Sequence, residues 1–330
     1  MKGFPDNREM AEHLPRHLLI PFAGRGSPAC RAALPTLRLP NLETLLLRLT
    51  LADTDTQDDS TRSPPHERAL ALALGIAAAD GCIPWAAFEA RQLGIATQDD
   101  AEGWGVVTLC NWQVGIDDVA LGDPSAIEID AGESAALLAV ARPFFEEDGI
   151  ALHASPVPGR WLARARIFDG LATASIDRAV GYPISQWSPL ADAARSLRRL
   201  QNEMQMLLYT ERVNDDRAAR GVPPINSFWL SGTGALKATP SPAGPAPEVS
   251  DALRVASLRD DGAGWAQAWQ ALDAGPIATL LADYTRGADV ALTLCGDRTA
   301  QRYTVQPRGL ARWARSLFDR KRASVVLESL

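Results

Sequence analysis

Residues 214–234 combine side chains and backbone that suit the binding of an anion. Asn214 and Arg217 follow a long amphipathic segment, and Asn226 opens a short apolar run. That run ends in the loop 231–234, whose glycines let backbone amides turn toward a negative charge. A guanidinium group binds phosphate or carboxylate through two parallel hydrogen bonds. We therefore predict an anion-binding site that includes Asn214, Arg217, Asn226 and Ser231.

The same residues also have structural alternatives. Asn214 and Arg217 could bond the carbonyl groups at a helix end, and Asn226 could tie the strand to the loop. We favour this structural role for Asn214 and Asn226, whereas for Arg217 the sequence leaves both roles open. Ser231 lacks the G-x-S-x-G setting of a nucleophile. The catalytic residues of the chain, if it has any, therefore stay unknown.

A helix, a turn and a strand must position these residues. Leu197, Leu200 and Met204 recur at helical spacing and predict an amphipathic helix with one buried face. Pro223-Pro224 cannot continue that helix. Ile225–Leu230 is too short for a helix and too apolar for a loop, so we predict a core strand there.

This segment resembles the archaeal type of cofactor-independent phosphoglycerate mutases, a branch of the alkaline phosphatase superfamily. Their pattern, approximately NxxRxxxGxxPAN before a strand and a glycine loop, matches Asn214, Arg217, Gly221, Pro224 and Asn226. With WLSGTG at 229–234, the phrase resembles more closely a group of proteobacterial proteins labelled regulatory protein, RpfE type. The resemblance covers most of residues 18–234.

The resemblance implies an α/β fold, with an alkaline-phosphatase-like three-layer core and a small α+β insertion. We expect residues 1–103 and 189–330 to form the core and 104–188 to form a lid-like insertion. Within that insertion, Gly159-Arg160-Trp161-Leu162 resembles a YRHL-like strand of the mutases with its arginine kept. Arg160 thereby joins the predicted anion-binding set.

The resemblance also suggests that the metal centre has been lost. In the mutases, the first strand ends in metal-binding aspartates. Here the predicted strand at 18–23 ends in Phe22-Ala23 and is followed by Gly24-Arg25-Gly26. Arg25 would place a positive charge where a cation otherwise sits, so it too is a candidate for anion binding. None of the histidines lies after His153, where the superfamily has further ligands; they are His13, His17, His66 and His153. We predict no metal and no cofactor.

The composition of the chain limits its expected cellular location and its expected partners. The net charge of −7 argues against a surface that binds nucleic acid, although Arg312 and Arg315 belong to a basic run on a predicted helix, 310–320. Four cysteines without paired spacing predict no disulfides and a reducing cytoplasm: Cys30, Cys82, Cys110 and Cys295. No apolar run approaches the ~20 residues that span a bilayer. We expect a cytoplasmic protein with no membrane partner. A nucleic-acid-associated factor is a third and less favoured alternative, carried by Arg312 and Arg315.

Periodicity predicts further elements along the chain. We expect a solvated loop at 52–65 and a buried, unreactive Cys110 on a strand at 104–112. Other predicted strands are 127–130, 150–153, 161–163, 252–258 and 290–295, and other predicted helices are 264–272 and 277–284.

Taken together, these features predict a non-catalytic, metal-site-degenerate mutase-like protein with a regulatory role. It would bind a phosphorylated or carboxylate small molecule or a protein partner. The alternative is an active cofactor-independent phosphoglycerate mutase, or a related phosphotransferase, that uses a set of ligands the sequence does not reveal.

Overall fold

Two compact units make up the chain in the computed structural model. The model describes residues 16–24, 26–189, 194–242, 244–305 and 322–330. In the first unit are the described residues up to 60, residues 64–76, and those from 241 onward; the second unit comprises 61–63 and 77–240. The predicted Arg25 and the predicted helix 310–320 lie outside the described residues.

The strands of the described residues are, in chain order, β1 (Arg16–Ile20), β2 (Thr50–Thr56), β3 (Trp104–Cys110), β4 (Trp112–Val114), β5 (Val119–Leu121), β6 (Ala151–Ala154), β7 (Arg160–Arg164), β8 (Ser227–Gly234), β9 (Glu248–Val249), β10 (Val290–Cys295) and β11 (Thr299–Thr304). The helices are α1 (Pro28–Ala33), α2 (Pro40–Arg48), α3 (Pro65–Ala73), α4 (Trp85–Gln92), α5 (Ala131–Glu147), α6 (Ile176–Ala179), α7 (Ile184–Trp187), α8 (Arg195–Thr210), α9 (Arg212–Ala219), α10 (Arg254–Leu258), α11 (Gly262–Leu272), α12 (Ala278–Thr285) and α13 (Ala323–Glu328). Within the described residues, no helix combines the length and the hydropathy that crossing a bilayer requires.

A five-stranded mixed sheet forms the centre of the first unit, in the order β2-β11-β10-β1-β9. β1 pairs in parallel with β10, and β11 runs antiparallel to both β10 and β2. Side chains alternate across β1: Leu18 and Ile20 join the larger core with α2, α11 and α12, while Leu19 packs with Ala69 and Leu70 on the other face. Helices therefore cover both faces of this sheet.

A four-stranded antiparallel sheet forms the centre of the second unit, in the order β6-β7-β3-β8. Val107, Trp161 and Phe228 lie on the face that packs against α5 and α8. Asp130 caps α5 and forms a reciprocal capping box with Glu133. The predicted amphipathic helix is confirmed as α8, and Leu197, Leu200 and Met204 are buried along one side of it.

The two open sheets confirm a mixed α/β protein. The second unit includes α8 and β8, since β8 pairs with β3 and α8 packs on the same core. The boundaries at 1–103, 104–188 and 189–330 stay predictions, as do the alkaline-phosphatase-like core and its lid-like insertion.

Several predicted elements are wrong. Residues 252–258 are a 3-10 turn and helix α10, because Leu253 and Ser257 are buried four positions apart. Residues 127–130 are no strand, since Glu128 has a φ of 40°. The first five residues of the loop predicted at 52–65 belong to the edge strand β2.

Candidate functional site

The predicted loop 231–234 is the end of strand β8 rather than a loop. Ser231 pairs with Val106, and Gly234 pairs with Trp104 across a register shift. Gly232 has a φ of 60°, and a Cβ there would lie 3.1 Å from the Cβ of Trp85 on α4. The glycine therefore permits a close approach of helix and strand.

Asn214 joins the end of α8 to the start of β8. Its Nδ2 donates to the carbonyl oxygens of Leu208 and Ile225, each at 2.7 Å. Its Oδ1 accepts from the backbone N–H of Ile225 at 2.8 Å. Around Asn214 the chain forms the short helix α9, where the sequence had predicted only a turn.

Arg217 is buried, with 1% of its surface exposed. Its Nε donates to the Pro223 carbonyl at 2.8 Å and its Nη1 to Glu133 Oε2 at 2.8 Å. Its Nη2 donates to the carbonyl of Ile127. Glu133 also accepts from Arg220. Arg217 thus holds together the capped start of α5 and the turn before β8.

Asn226 and Arg160 also bond protein groups. Asn226 Oδ1 accepts from the backbone N–H of Trp112 at 2.6 Å, and its Nδ2 donates to the Trp112 carbonyl at 2.9 Å. Arg160 Nη2 lies 2.8 Å from Glu89 Oε2, and Ser155 donates to the other oxygen of Glu89. The two predicted arginines of this unit therefore contact different glutamates, Glu89 and Glu133.

The carboxyl ends of β1 and β10, where α/β sheets commonly bind ligands, are closed by the protein itself. Gly26 N–H donates to Asp297 Oδ2 at 2.6 Å. Leu330 accepts from the backbone N–H of Thr299 at 2.9 Å. A Cβ on Gly296 would lie 2.5 Å from the Cβ of Leu330, so only glycine fits beneath it.

The acidic side chains near this edge accept hydrogen bonds from the protein's own backbone. Asp260 Oδ1 accepts from the N–H groups of Ala29 and Cys30 at the start of α1, and Asp297 accepts from Gly26. Among the described residues, no three or more His, Cys, Asp or Glu side chains are grouped so that they could hold a metal ion.

A cavity of about 510 Å³ lies in the second unit, beside Trp104, His153 and Arg164. Of the predicted anion-binding residues that the structure describes, none lines it. Sequence reasoning missed these three residues, although Arg164 follows Arg160 at the strand spacing that places both on one face of β7. The register that aligns Trp104 with Arg164 appears only in the folded sheet.

The electrostatics of the cavity depend on burial and on Arg164. Burial lowers the pKa of His153, and the nearby charges of Arg164 and Arg142 lower it further. The ring of His153 lies 5.3 Å from that of Trp104, and the Arg164 guanidinium lies 6.0 Å from the Trp104 ring centre. Burial and the two arginines therefore favour the uncharged form of the His153 imidazole, and the guanidinium of Arg164 lies over the Trp104 ring.

The fold and these sites define a mixed α/β protein with open sheets. No model of a known protein family matches the sequence, and no curated protein matches it. Among solved structures, the chain is similar to a cofactor-independent phosphoglycerate mutase from Thermoplasma acidophilum, with 14% identity, a TM-score of 0.38, and coverage of 95% of this chain and 94% of that one.

It is also similar to the PH0037 protein from Pyrococcus horikoshii, with 14% identity and a TM-score of 0.43, over 89% of this chain and 87% of that one. Both similarities are distant.

Proposed function

We propose that the chain is a non-catalytic relative of phosphoglycerate mutases that acts as a regulatory binding protein, for a small molecule or a protein partner. The observation that carries this proposal is the buried guanidinium of Arg217. The sequence resemblance implies that this side chain binds phosphate. Here, however, its Nε, Nη1 and Nη2 all donate to protein oxygens. A phosphate could reach it only by breaking the contact with Glu133.

Further support comes from the carboxyl edge of the five-stranded sheet. There the acidic side chains accept from backbone N–H groups, and Leu330 packs on Gly296. An enzyme needs its reacting groups within reach of the substrate. A sheet edge occupied by the protein's own groups is consistent with a protein that retains the fold and lacks catalytic activity.

Metal analysis and a mutase assay test this proposal together. We expect the purified protein to hold less than one equivalent of divalent metal and to show no conversion of 3-phosphoglycerate when manganese is added, while an active mutase assayed in parallel converts it. Stoichiometric metal together with turnover would contradict the proposal and establish the enzyme alternative.

A further inference from the structure

A cleft of about 770 Å³ lies on the first unit, beside the start of helix α2 and the start of helix α13. This volume is in the range of small-molecule sites. The lining of the cleft includes three exposed apolar side chains, Pro35, Pro40 and Leu47, of which Leu47 is 38% exposed. A molecule in the cleft can therefore reach an apolar surface that is otherwise in contact with water.

The guanidinium of Arg38 lies against the wall of this cleft. Its Nη1 donates to the carbonyl oxygens of Pro35 and Leu37, at 3.4 and 3.1 Å, and both of these residues also line the cleft. Arg38 is exposed, and its Nε and Nη2 have no protein acceptor among the described residues. The two backbone contacts therefore hold the guanidinium in place and leave it donors for a bound molecule.

Arg322 provides a second guanidinium in the lining. It precedes helix α13, and the first N–H of that helix, from Ala323, donates to Glu43 Oε1 on α2 at 3.3 Å. Arg322 is exposed and has no ion-pair partner in the part of the chain that the structure describes. Two arginines and one glutamate give the described lining a net charge of +1, on a chain whose total is −7. The charge of this cleft therefore favours an anion.

We infer that this cleft binds a small carboxylate with an apolar body, such as a medium-chain fatty acid. The carboxylate accepts hydrogen bonds from the guanidinium groups of Arg38 and Arg322, whose planar donors match its two oxygens. The apolar body covers Pro35, Pro40 and Leu47 and removes their surface from water. The cleft belongs to a different unit from Arg217, so the inference holds whether or not the protein has catalytic activity.

Isothermal calorimetry and methyl NMR of the full chain test this inference, with octanoate as the probe. Acetate and inorganic phosphate carry the charge without the apolar body, and 1-octanol carries the apolar body without the charge. We expect octanoate to bind at least roughly tenfold more tightly than each of the other three, because only octanoate makes both kinds of contact. It should also shift the methyl signals of Leu47, which are identified by their absence in Leu47→Ala.

The double variant Arg38→Gln/Arg322→Gln should bind octanoate roughly tenfold more weakly, the loss expected when hydrogen bonds to a charged group are removed. Arg259→Gln is the matched control, since Arg259 is an exposed arginine of the same unit that does not line the cleft. Its affinity should equal that of the wild type. Unchanged affinity in the double variant, an equal loss in the control, equally tight binding of any comparison probe, or no shift at Leu47 would overturn the inference.

Discussion

The pairing of Arg217 with Glu133 determines how the anion-binding prediction should be tested. Removing one partner of a buried ion pair leaves the other charge uncompensated, which costs about 3–5 kcal/mol. We expect Arg217→Met to lower the free energy of unfolding by about that amount, measured from urea denaturation. Arg220 also contacts Glu133, so it would reduce the decrease in the free energy of unfolding.

The control for this change is Arg212→Met. The Arg212 side chain is 90% exposed and pairs with Asp216 one helical turn away, so its loss should cost less than about 0.5 kcal/mol. An Arg217→Met variant with wild-type stability would contradict the structural role of Arg217. It would favour the alternative in which Arg217 binds an anion.

The cysteines provide a prediction about reactivity. Burial raises the pKa of Cys110 and of Cys295 far above the usual value, and it raises the pKa of the partly exposed Cys82 as well. We expect iodoacetamide to label Cys82 first and the buried thiols only in urea, as followed by mass spectrometry. Labelling of Cys110 in the native protein at the rate of Cys82 would refute this. Cys82→Ser should abolish the native label.

Individual residues were predictable where their partners are near in sequence. The end of the helical segment before Pro223-Pro224 was predicted from a few neighbouring residues, and Cys110 was correctly predicted to be buried on a strand. Arg217 was different, because its acceptors at Glu133 and Ile127 lie 84 and 90 positions away. No local pattern announces such contacts.

Regular elements with strong periodicity were predicted well. Strands β3, β6, β7 and β10 and helices α8, α11 and α12 all fall on segments whose apolar spacing indicated them. The failures have local causes. Thr50, Thr54 and Thr56 favour a strand at the sheet edge, but their polarity and the aspartates between them indicated a loop.

A single methyl group tests the packing of α13 against the sheet edge. In Gly296→Ala the new Cβ would lie 2.5 Å from the Leu330 Cβ, so the end of α13 must move. We expect a loss of about 1–3 kcal/mol in stability, typical of overpacking, measured by thermal unfolding.

The matched change is Gly275→Ala. A Cβ at Gly275 would meet nothing within 4 Å, so this variant should be neutral or slightly stabilised. Equal effects of the two substitutions would show that Leu330 does not pack on Gly296 as described.

Acid should destabilise the whole protein partly through His17. This ring is buried and lies 2.8 Å from Thr293 Oγ1. Burial, assisted by Arg302, lowers its pKa from the usual 6.5 to about 4. Between pH 4 and pH 6.5, His17 is protonated in the unfolded chain and neutral in the folded chain. Stability should therefore fall as pH drops from 6.5 to 4, by about 3 kcal/mol for this group.

In His17→Gln, position 17 no longer binds a proton in either the folded or the unfolded state. The variant keeps a polar side chain beside Thr293. Carboxylates titrate in the same range, so the useful quantity is the difference between the two proteins. We expect the unfolding free energy of His17→Gln to depend less on pH between 6.5 and 4. Parallel curves for variant and wild type would rule out a buried neutral His17.

The extent of the two units was the least predictable property of the molecule. The sequence predicted a mixed α/β protein, but the boundary of the second unit depends on β8 returning to pair with β3. That pairing joins segments more than 100 residues apart, and hydrophobic patterns record which face is buried without recording the partner.

The pairing of β1 with β10 has a consequence for biosynthesis. Arg16 lies opposite Val290, so the first strand leaves the ribosome long before its neighbour exists. At roughly 5–20 residues per second, the nascent chain waits on the order of ten to fifty seconds. The segment 77–240 can meanwhile complete its own sheet, whereas the apolar β1 lacks its parallel neighbour until translation reaches β10.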